Sequence, residues 1–262
     1  MNLSGAHALV TGASRGIGLE TAREFARRGA QVSVLARDTD KLTAVAEELG
    51  ANRVPTDLRN LDEVATVIPR AEEAHGPVDI LVNNAAMAGA GAMPKLSFET
   101  MRDTFTVDLL APAELARAAS GPMAERGKGA IVTVSSLAGE MALRGVGVYS
   151  TSKAGLEHFT RVLQRELRGT GVRAHLVVLG GVETELVRDT HEDPVARLAY
   201  KRLSAIPASE PDEIGRRIVE AVESDRRRPL VIPAAGFPMV ALRNLPTNFA
   251  DLIYAGLPRS MP

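Results

Sequence analysis

The chain has 262 residues, of which 45% are hydrophobic and 24% charged. That balance suits one large α/β domain with a sizeable core and excludes a disordered chain. A net charge of -1 offers no overall basic field to nucleic acid, and the lack of cysteine excludes disulfides, thiolate catalysis and cysteine-ligated zinc.

Short apolar runs alternate with helical patterns along the chain. Residues 7–10 read as a strand and 17–28 as a helix; 31–36 is a second strand, followed by a helix over 38–49 that ends at Gly50. Residues 52–56 form a short third strand, and the helix over 61–74 is stopped by Gly76-Pro77. A fourth strand spans 78–82. Helical periodicity then runs over 98–126, interrupted at Pro112 and at Gly121-Pro122. A fifth strand at 130–134, a helix over 148–168, a sixth strand at 172–178, a helix over 212–224 and a seventh strand at 229–232 complete the pattern.

The strands are apolar throughout rather than alternating. Such strands belong in a parallel sheet covered on both faces by crossover helices, and repeated strand–helix units wind it in both directions. The expected fold is therefore a single α/β domain over 1–234 with about seven strands, followed by an extension over 235–262 packed on the domain or on another subunit. Ligands of such folds bind beyond the carboxyl ends of the strands. The Arg226-Arg227-Arg228 run reads as a solvated helix end, and the five histidines lack any metal-ligating spacing, so no metal is assigned. No apolar run approaches the ~20 residues of a membrane span. Met1 to Gly5 lacks the basic and apolar regions of a secretion signal, so a cytoplasmic protein is expected.

After the first strand the chain reads Thr11-Gly12-Ala13-Ser14-Arg15-Gly16-Ile17-Gly18. Glycines at 12, 16 and 18 let the backbone turn sharply, approach a pyrophosphate and pack the helix close to the sheet. The helix N-terminus then offers N–H groups and a positive dipole end to phosphates. Arg15 lies in this turn and Arg37 follows the second strand, where the adenosine ribose of a dinucleotide would lie. Two guanidiniums suit a 2′-phosphate, so NADP(H) is favoured over NAD(H). Asp38 keeps NAD(H) open: it reads as a helix N-cap, with the ribose as its alternative partner. Asp57-Leu58 ends the third strand, either against an adenine amino group or as a loop aspartate. Asn83-Asn84-Ala85-Ala86 follows the fourth strand and suits a turn against the cofactor.

Tyr149 and Lys153 stand four apart on one helix, with Ser136 upstream. An ammonium beside a phenol is expected to lower its pKa from about 10. The tyrosine can then exchange a proton with an alcohol or a developing alkoxide, which Ser136 would hold by a hydrogen bond.

Taken together, T-G-A-S-R-G-I-G, N-N-A, S-S-L-A-G, Y-S-T-S-K and G-G-V-E-T resemble, in order and spacing, the short-chain dehydrogenase/reductase family of compact single-domain type. The resemblance covers about residues 3–233. It implies a Rossmann-like fold and hydride transfer between a nicotinamide and a carbonyl or secondary alcohol. It makes Tyr149 the acid/base, Ser136 the substrate-orienting hydroxyl and Lys153 the ribose-binding activator. It also implies that Ser14, Arg15 and Ile17 line the phosphates, with Gly12, Gly16 and Gly18 forming the turn. Arg37 would hold the 2′-phosphate, Asp57 and Leu58 the adenine, Asn84 and Ala85 the ribose, and Val182 and Thr184 the carboxamide. A homodimer or homotetramer through helices around 105–119 and 148–168 is implied as well.

Three positions depart from the family pattern. Asp108 stands where the family has an asparagine of a proton relay, and it adds a negative charge near Lys153. Ala86 replaces a glycine, and Leu179 replaces a proline in a way expected to loosen the loop over the nicotinamide. The pocket wall is expected within 88–95, 140–146 and 185–204; Met87, Met93, Met141, Leu143, Leu186 and Val187 would make it apolar, or are core instead. A catalytically retired dinucleotide sensor or scaffold is the competing reading.

Overall fold

Seven strands form one sheet in the order β3-β2-β1-β4-β5-β6-β7. They are β1 (His7–Thr11), β2 (Gln31–Ala36), β3 (Asn52–Pro55), β4 (Ile80–Asn83), β5 (Gly129–Ser136), β6 (Val172–Leu179) and β7 (Leu230–Ile232). Every neighbouring pair is parallel. The order reverses between β1 and β4, the switch point at which such sheets open a crevice. The structure is a computed structural model, and it describes residues 1–37, 39–141, 144–180, 209–224, 228–236 and 240.

Successive β residues point to opposite faces, and helices cover both. Ala8, Val10, Val34 and Val82 join one core with Phe25 of α1 (Gly16–Arg27), Leu42 of α2 (Asp40–Leu49) and Ile218 of α8 (Pro211–Glu223). Leu9, Leu35, Leu81 and Ile131 join the other. It is filled by Ile68 of α4 (Val67–His75), Leu115 and Met123 of α6 (Ala111–Glu125), and Leu163 of α7 (Gly147–Glu166). Inward residues from both faces explain why the strands read as unbroken apolar runs. Gly215, inside α8, has a backbone reason: a Cβ there would stand 2.7 Å from the Glu20 carbonyl carbon, so its absence lets α8 cross α1 closely.

Three helix expectations need correction. The helix expected over 61–74 is two, α3 (Leu61–Ala65) and α4, joined at Thr66. Pro69 has no N–H to offer the Ala65 carbonyl, which removes the bond that would have made them continuous. The expected break at Gly121-Pro122 does not occur: Pro122 lies in the last turn of α6, where fully buried Met123 anchors the chain. The cap of α2 is Thr39, whose side chain accepts from Leu42 N–H, not Asp38, which lies outside the described residues. Between α5 (Phe98–Phe105) and α6 the chain takes one π-helical turn, Thr106–Leu110, centred on Asp108. Pro112 cannot donate to the Asp108 carbonyl, so the α ladder is already open there.

After β7, Gly236 and Val240 are buried, Val240 within a cluster of Leu137, Leu176, Val178 and Val231. Of the expected extension, Phe237, Met239 and residues 241–262 lie outside the described residues, as do Arg226 and Arg227. Among the described residues no helix is long and apolar enough to cross a membrane.

At the opposite end of the sheet from the crevice, His7 is fully buried. Its Nδ1 is 2.8 Å from the Gly76 carbonyl and its Nε2 2.8 Å from Ser33 Oγ, which also accepts from Asn52 Nδ2. A neutral ring protonated on Nδ1 satisfies every partner. Burial, with His75 against the ring edge, holds the His7 pKa below its ordinary value. The unfolded chain therefore binds this proton more tightly, and folding stability is lost as pH falls through about 6.5. Denaturant titrations from pH 8 to 5.5 isolate that loss as the difference between wild type and a variant without the imidazole. A His7→Asn variant is expected to show a shallower slope, by up to about 1.4 kcal/mol per pH unit.

Candidate active site

The glycine turn divides its labour. Gly12 and Gly16 have φ of 67° and 56°, a left-handed backbone that favours glycine. A Cβ on Gly12 would stand 2.9 Å from Ala85 Cα, and one on Gly18 would stand 2.3 Å from the Gly12 carbonyl oxygen and 2.6 Å from Asn84 Nδ2. These two glycines are required by the packing of the turn on itself and on the end of β4. Gly16 differs: nothing lies within 4 Å of where its Cβ would stand. Its bareness leaves open space at the start of α1. Arg15 occupies the N-cap without a side-chain cap bond, and the first turn carries no acidic residue. The N–H groups and positive dipole end of α1 therefore face that space, which fits the phosphates of a dinucleotide. Ser14 is half-buried and Arg15 exposed, but the Ile17 side chain belongs to the core, so only its backbone can serve a phosphate.

The switch point is stitched by Thr11. Its Oγ1 donates to the Val82 carbonyl (3.2 Å) and accepts from Asn84 N–H (2.9 Å) and Ala85 N–H (3.1 Å). Asn84 Nδ2 donates to the Thr11 carbonyl (3.0 Å), and Asn83 Nδ2 to the Pro112 carbonyl (3.0 Å). The two consecutive amides thus hold β1 to the loop after β4, and that loop to the start of α6. Thr11 has no motif of its own beyond opening the glycine turn, and sequence reasoning passed over it.

On the adenosine side, Ala13 N–H donates to the Leu35 carbonyl (3.1 Å), which brings the turn against the end of β2. Arg15, at the start of α1, and Arg37, just past β2, therefore follow neighbouring strands. Asp57 is engaged by Arg59, whose Nη2 lies 2.5 Å from Oδ2. The Arg59 hydrogen bonds hold the Asp57 carboxyl below its usual value, with a smaller push from the Arg37 charge. A carboxylate neutralised this way opposes an anionic ligand little. Leu58 is buried in the core rather than presented to a ligand. Val182 and Thr184, expected at the carboxamide, lie outside the described residues, as do Leu143, Leu186 and Val187.

Ser136, Tyr149, Lys153 and Asp108 come together at the carboxyl end of β5. Ser136 is the last residue of that strand and caps a 3-10 turn, Leu137–Glu140, by accepting from Ala138 N–H (3.1 Å). Its hydroxyl bonds the Tyr149 phenol. A Cβ on Gly139 would stand 3.0 Å from Ala154 N, so glycine there brings this turn onto α7 beside Lys153. Lys153 is 2% exposed; its Nζ donates to the Val134 carbonyl (3.3 Å) and lies 5.6 Å from the Tyr149 ring centroid. Asp108 is fully buried; Oδ1 accepts from Met87 N–H (2.7 Å), and Oδ2 lies 3.4 Å from Ser152 Oγ.

The expected lowering of the Tyr149 pKa is not found. Burial pushes it well above its ordinary value, the Asp108 charge adds to that, and only the Ser136 bond opposes. The ammonium sits beside the ring and bonds β5 instead of the phenol. Burial pushes Lys153 down, while the Asp108 and Glu157 charges push it back. Burial raises Asp108 to about 6, against the Lys153 charge and the Met87 bond. Leu179 is paired with Ser136 and Ile232, and Gly180 N–H donates to the Ile232 carbonyl at 2.7 Å; the loop it was expected to loosen begins at residue 181, outside the described residues.

Met93 packs toward this site. Its Cε lies 2.9 Å from where a Gly147 Cβ would stand, and Gly91 N–H donates to the Gly145 carbonyl at 2.8 Å. The loop after β4 and the start of α7 are thereby joined beside Tyr149. Met87 is half-buried and packs against the core, Met141 is half-buried and Met93 is 53% exposed.

The chain is similar in sequence and fold to known reductases. The ketoacyl reductase HetN of Nostoc sp. is 34% identical over 228 residues, covering 85% of this chain and 77% of that protein. The 3-oxoacyl-[acyl-carrier-protein] reductase FabG of Escherichia coli is 34% identical over 210 residues, covering 79% and 84%. A crystal structure of an actinorhodin polyketide ketoreductase variant with NADPH superimposes with a TM-score of 0.78 at 32% identity, covering 88% of this chain and 97% of that one. The family model described as short chain dehydrogenase matches residues 6–195, and the chain belongs to that family of oxidoreductases acting between C=O and CH–OH.

Proposed function

We propose that the protein is an NADPH-dependent ketoacyl reductase with Tyr149 as its proton donor. The observation that carries this reading is the Tyr149 phenol bonded by Ser136 beside buried Lys153, at the same sheet end as the open N-terminus of α1. When bound, the reduced nicotinamide supplies the hydride; the chain's own task is to orient the carbonyl and deliver a proton. The Ser136 and Tyr149 hydroxyls face each other, so a carbonyl oxygen placed between them can accept from both. A phenol kept protonated by burial and by Asp108 is poised to give its proton to a developing alkoxide, which favours reduction.

The class of substrate is supported by the names of HetN, FabG and the polyketide ketoreductase, and by the methionine-lined approach to Tyr149. The preference for NADP(H) is supported by Arg15 and Arg37 following neighbouring strands and by the neutralisation of Asp57. A homo-oligomer is supported by Leu110 and Val162, both at least 40% exposed on the helices expected to pair.

NADPH oxidation with a β-ketoacyl thioester tests the activity. Tyr149→Phe is expected to lower kcat at least ~100-fold while NADPH affinity is kept. Wild-type protein that binds NADPH but turns over no ketone or thioester would instead make it a dinucleotide sensor. Arg37→Ala is expected to reduce kcat/KM with NADPH by about tenfold or more and to leave NADH nearly unchanged; equal wild-type efficiency with both would defeat the NADP(H) assignment.

Asp108 has a stability consequence. Its folded pKa of about 6 lies above the ordinary 3.8, so its buried charge destabilises the fold once pH rises through that interval. Asp108→Asn, which keeps the acceptor for Met87 N–H, is expected to be more stable than wild type at pH 8 by on the order of 1–3 kcal/mol, with the gain gone near pH 4. Denaturation midpoints at the two pH values measure this.

A further inference from the structure

Tyr149 and Lys153 are the first half of a longer column. Glu157 and Arg161 continue it down α7 at the same spacing of four, so all four side chains follow one face of the helix. Glu157 is 3% exposed, a carboxylate that the reading above leaves without a task. Its Oε1 accepts from Ser135 Oγ (2.8 Å), and its Oε2 accepts from Arg161 Nη2 (3.1 Å). Ser135 Oγ is also 3.4 Å from the Lys153 carbonyl oxygen. Arg161 reaches on to Glu140 (3.6 Å), the last residue of the 3-10 turn that Ser136 caps. The column is therefore tied at two points to the segment carrying Ser136, one just before it and one just after.

We propose that Glu157 is a positioning residue of this active site: from one helical turn below it sets a buried carboxylate behind Lys153, and through Ser135 and Arg161 it fixes the segment that carries Ser136 against Tyr149. The inference rests on the reductase reading and names a group that touches neither substrate nor cofactor.

Among the described residues, the following groups face Lys153. Asp108 faces it from the π-helical turn, and Glu157 and the Tyr149 ring from its own helix; β5 offers the Val134 carbonyl, and the 3-10 turn offers Glu140 to Arg161. Burial disfavours the ammonium, so the two carboxylates decide how far up in pH it survives. Tyr149 is pushed the other way and titrates later. The alkaline limb of activity therefore belongs to Lys153. Arg161 shares the Glu157 charge, so its removal strengthens what Glu157 does to Lys153. The two substitutions must act in opposite directions, which a role in packing alone would not produce.

The test is kcat/KM for ketone reduction from pH 7 to 11, with NADPH affinity measured over the same range by fluorescence, for wild type, Glu157→Gln and Arg161→Gln. Glu157→Gln, which can still accept from Ser135, is expected to move the alkaline limb and the alkaline loss of NADPH affinity down by about 0.5–1 pH unit; Arg161→Gln is expected to move both up. Limbs that stay in place, or that move the same way in both variants, overturn the proposal, whatever happens to stability. If Glu157→Gln does not fold, an upward shift in Arg161→Gln supports the proposal and no shift overturns it. Wild-type protein that neither reduces ketones nor binds NADPH defeats the reductase reading and this inference with it, whereas an active wild type with unmoved limbs defeats the inference alone.

Discussion

An ammonium group withdrawn from water is expensive unless its charge and its donors are met, and Lys153 imposes that requirement on this end of the fold. Three elements answer it: β5 with a backbone carbonyl, the π-helical turn with Asp108, and α7 with Glu157. None of these could be moved far without stranding a buried charge. The two hydroxyls proposed to be catalytic are carried on the same elements, Ser136 at the end of β5 and Tyr149 one turn before Lys153. Compensating the lysine and positioning the two hydroxyls are therefore one structural problem with one solution.

The other constraint is the reversal of strand order between β1 and β4. A parallel sheet leaves the ends of its central strands without covering helices at such a point. Thr11 closes the backbone gap with a single hydroxyl that donates once and accepts twice. Because that stitching needs close approach, Gly12 and Gly18 are set by contacts inside the protein, and Gly16 has no such contact. A glycine-rich turn is therefore less uniform than its motif suggests: two of its glycines answer to packing, and one answers to the space above α1.

Much of the architecture was legible because buried parallel strands and amphipathic helices write strong periodic patterns, and all seven strands were located in this way. What was not legible depended on single residues competing with those patterns. Pro69 broke a helix that its apolar spacing would have continued, while Pro122 failed to break one because Met123 anchors the last turn. The π-helical turn leaves no periodic trace, being one residue of extra winding beside Pro112. In the site, the order Ser136, Tyr149, Lys153 was visible, but the partners of Asp57 and Asp108 were not. Arg59 and the Met87 amide meet them only through loop geometry. Glu157 and Arg161 carried a signal in their spacing from Lys153. It acquires meaning only when Ser135 is seen to face the same side.

The sign of the Tyr149 shift bears on which direction of reaction this pocket favours. A base for alcohol oxidation needs the phenolate, which burial penalises and which the Asp108 charge penalises again. An asparagine at 108 would remove the second penalty but leave the first. The aspartate therefore biases the resting pocket toward a protonated phenol and a charged lysine, the pair of states that a carbonyl reductase consumes. The same carboxylate is raised by burial and so becomes neutral first as the pH falls, which relaxes the bias toward acid rather than toward base. A substitution that looks like damage to a proton relay is, on this electrostatic reasoning, a means of holding the acid form of the site through neutral pH.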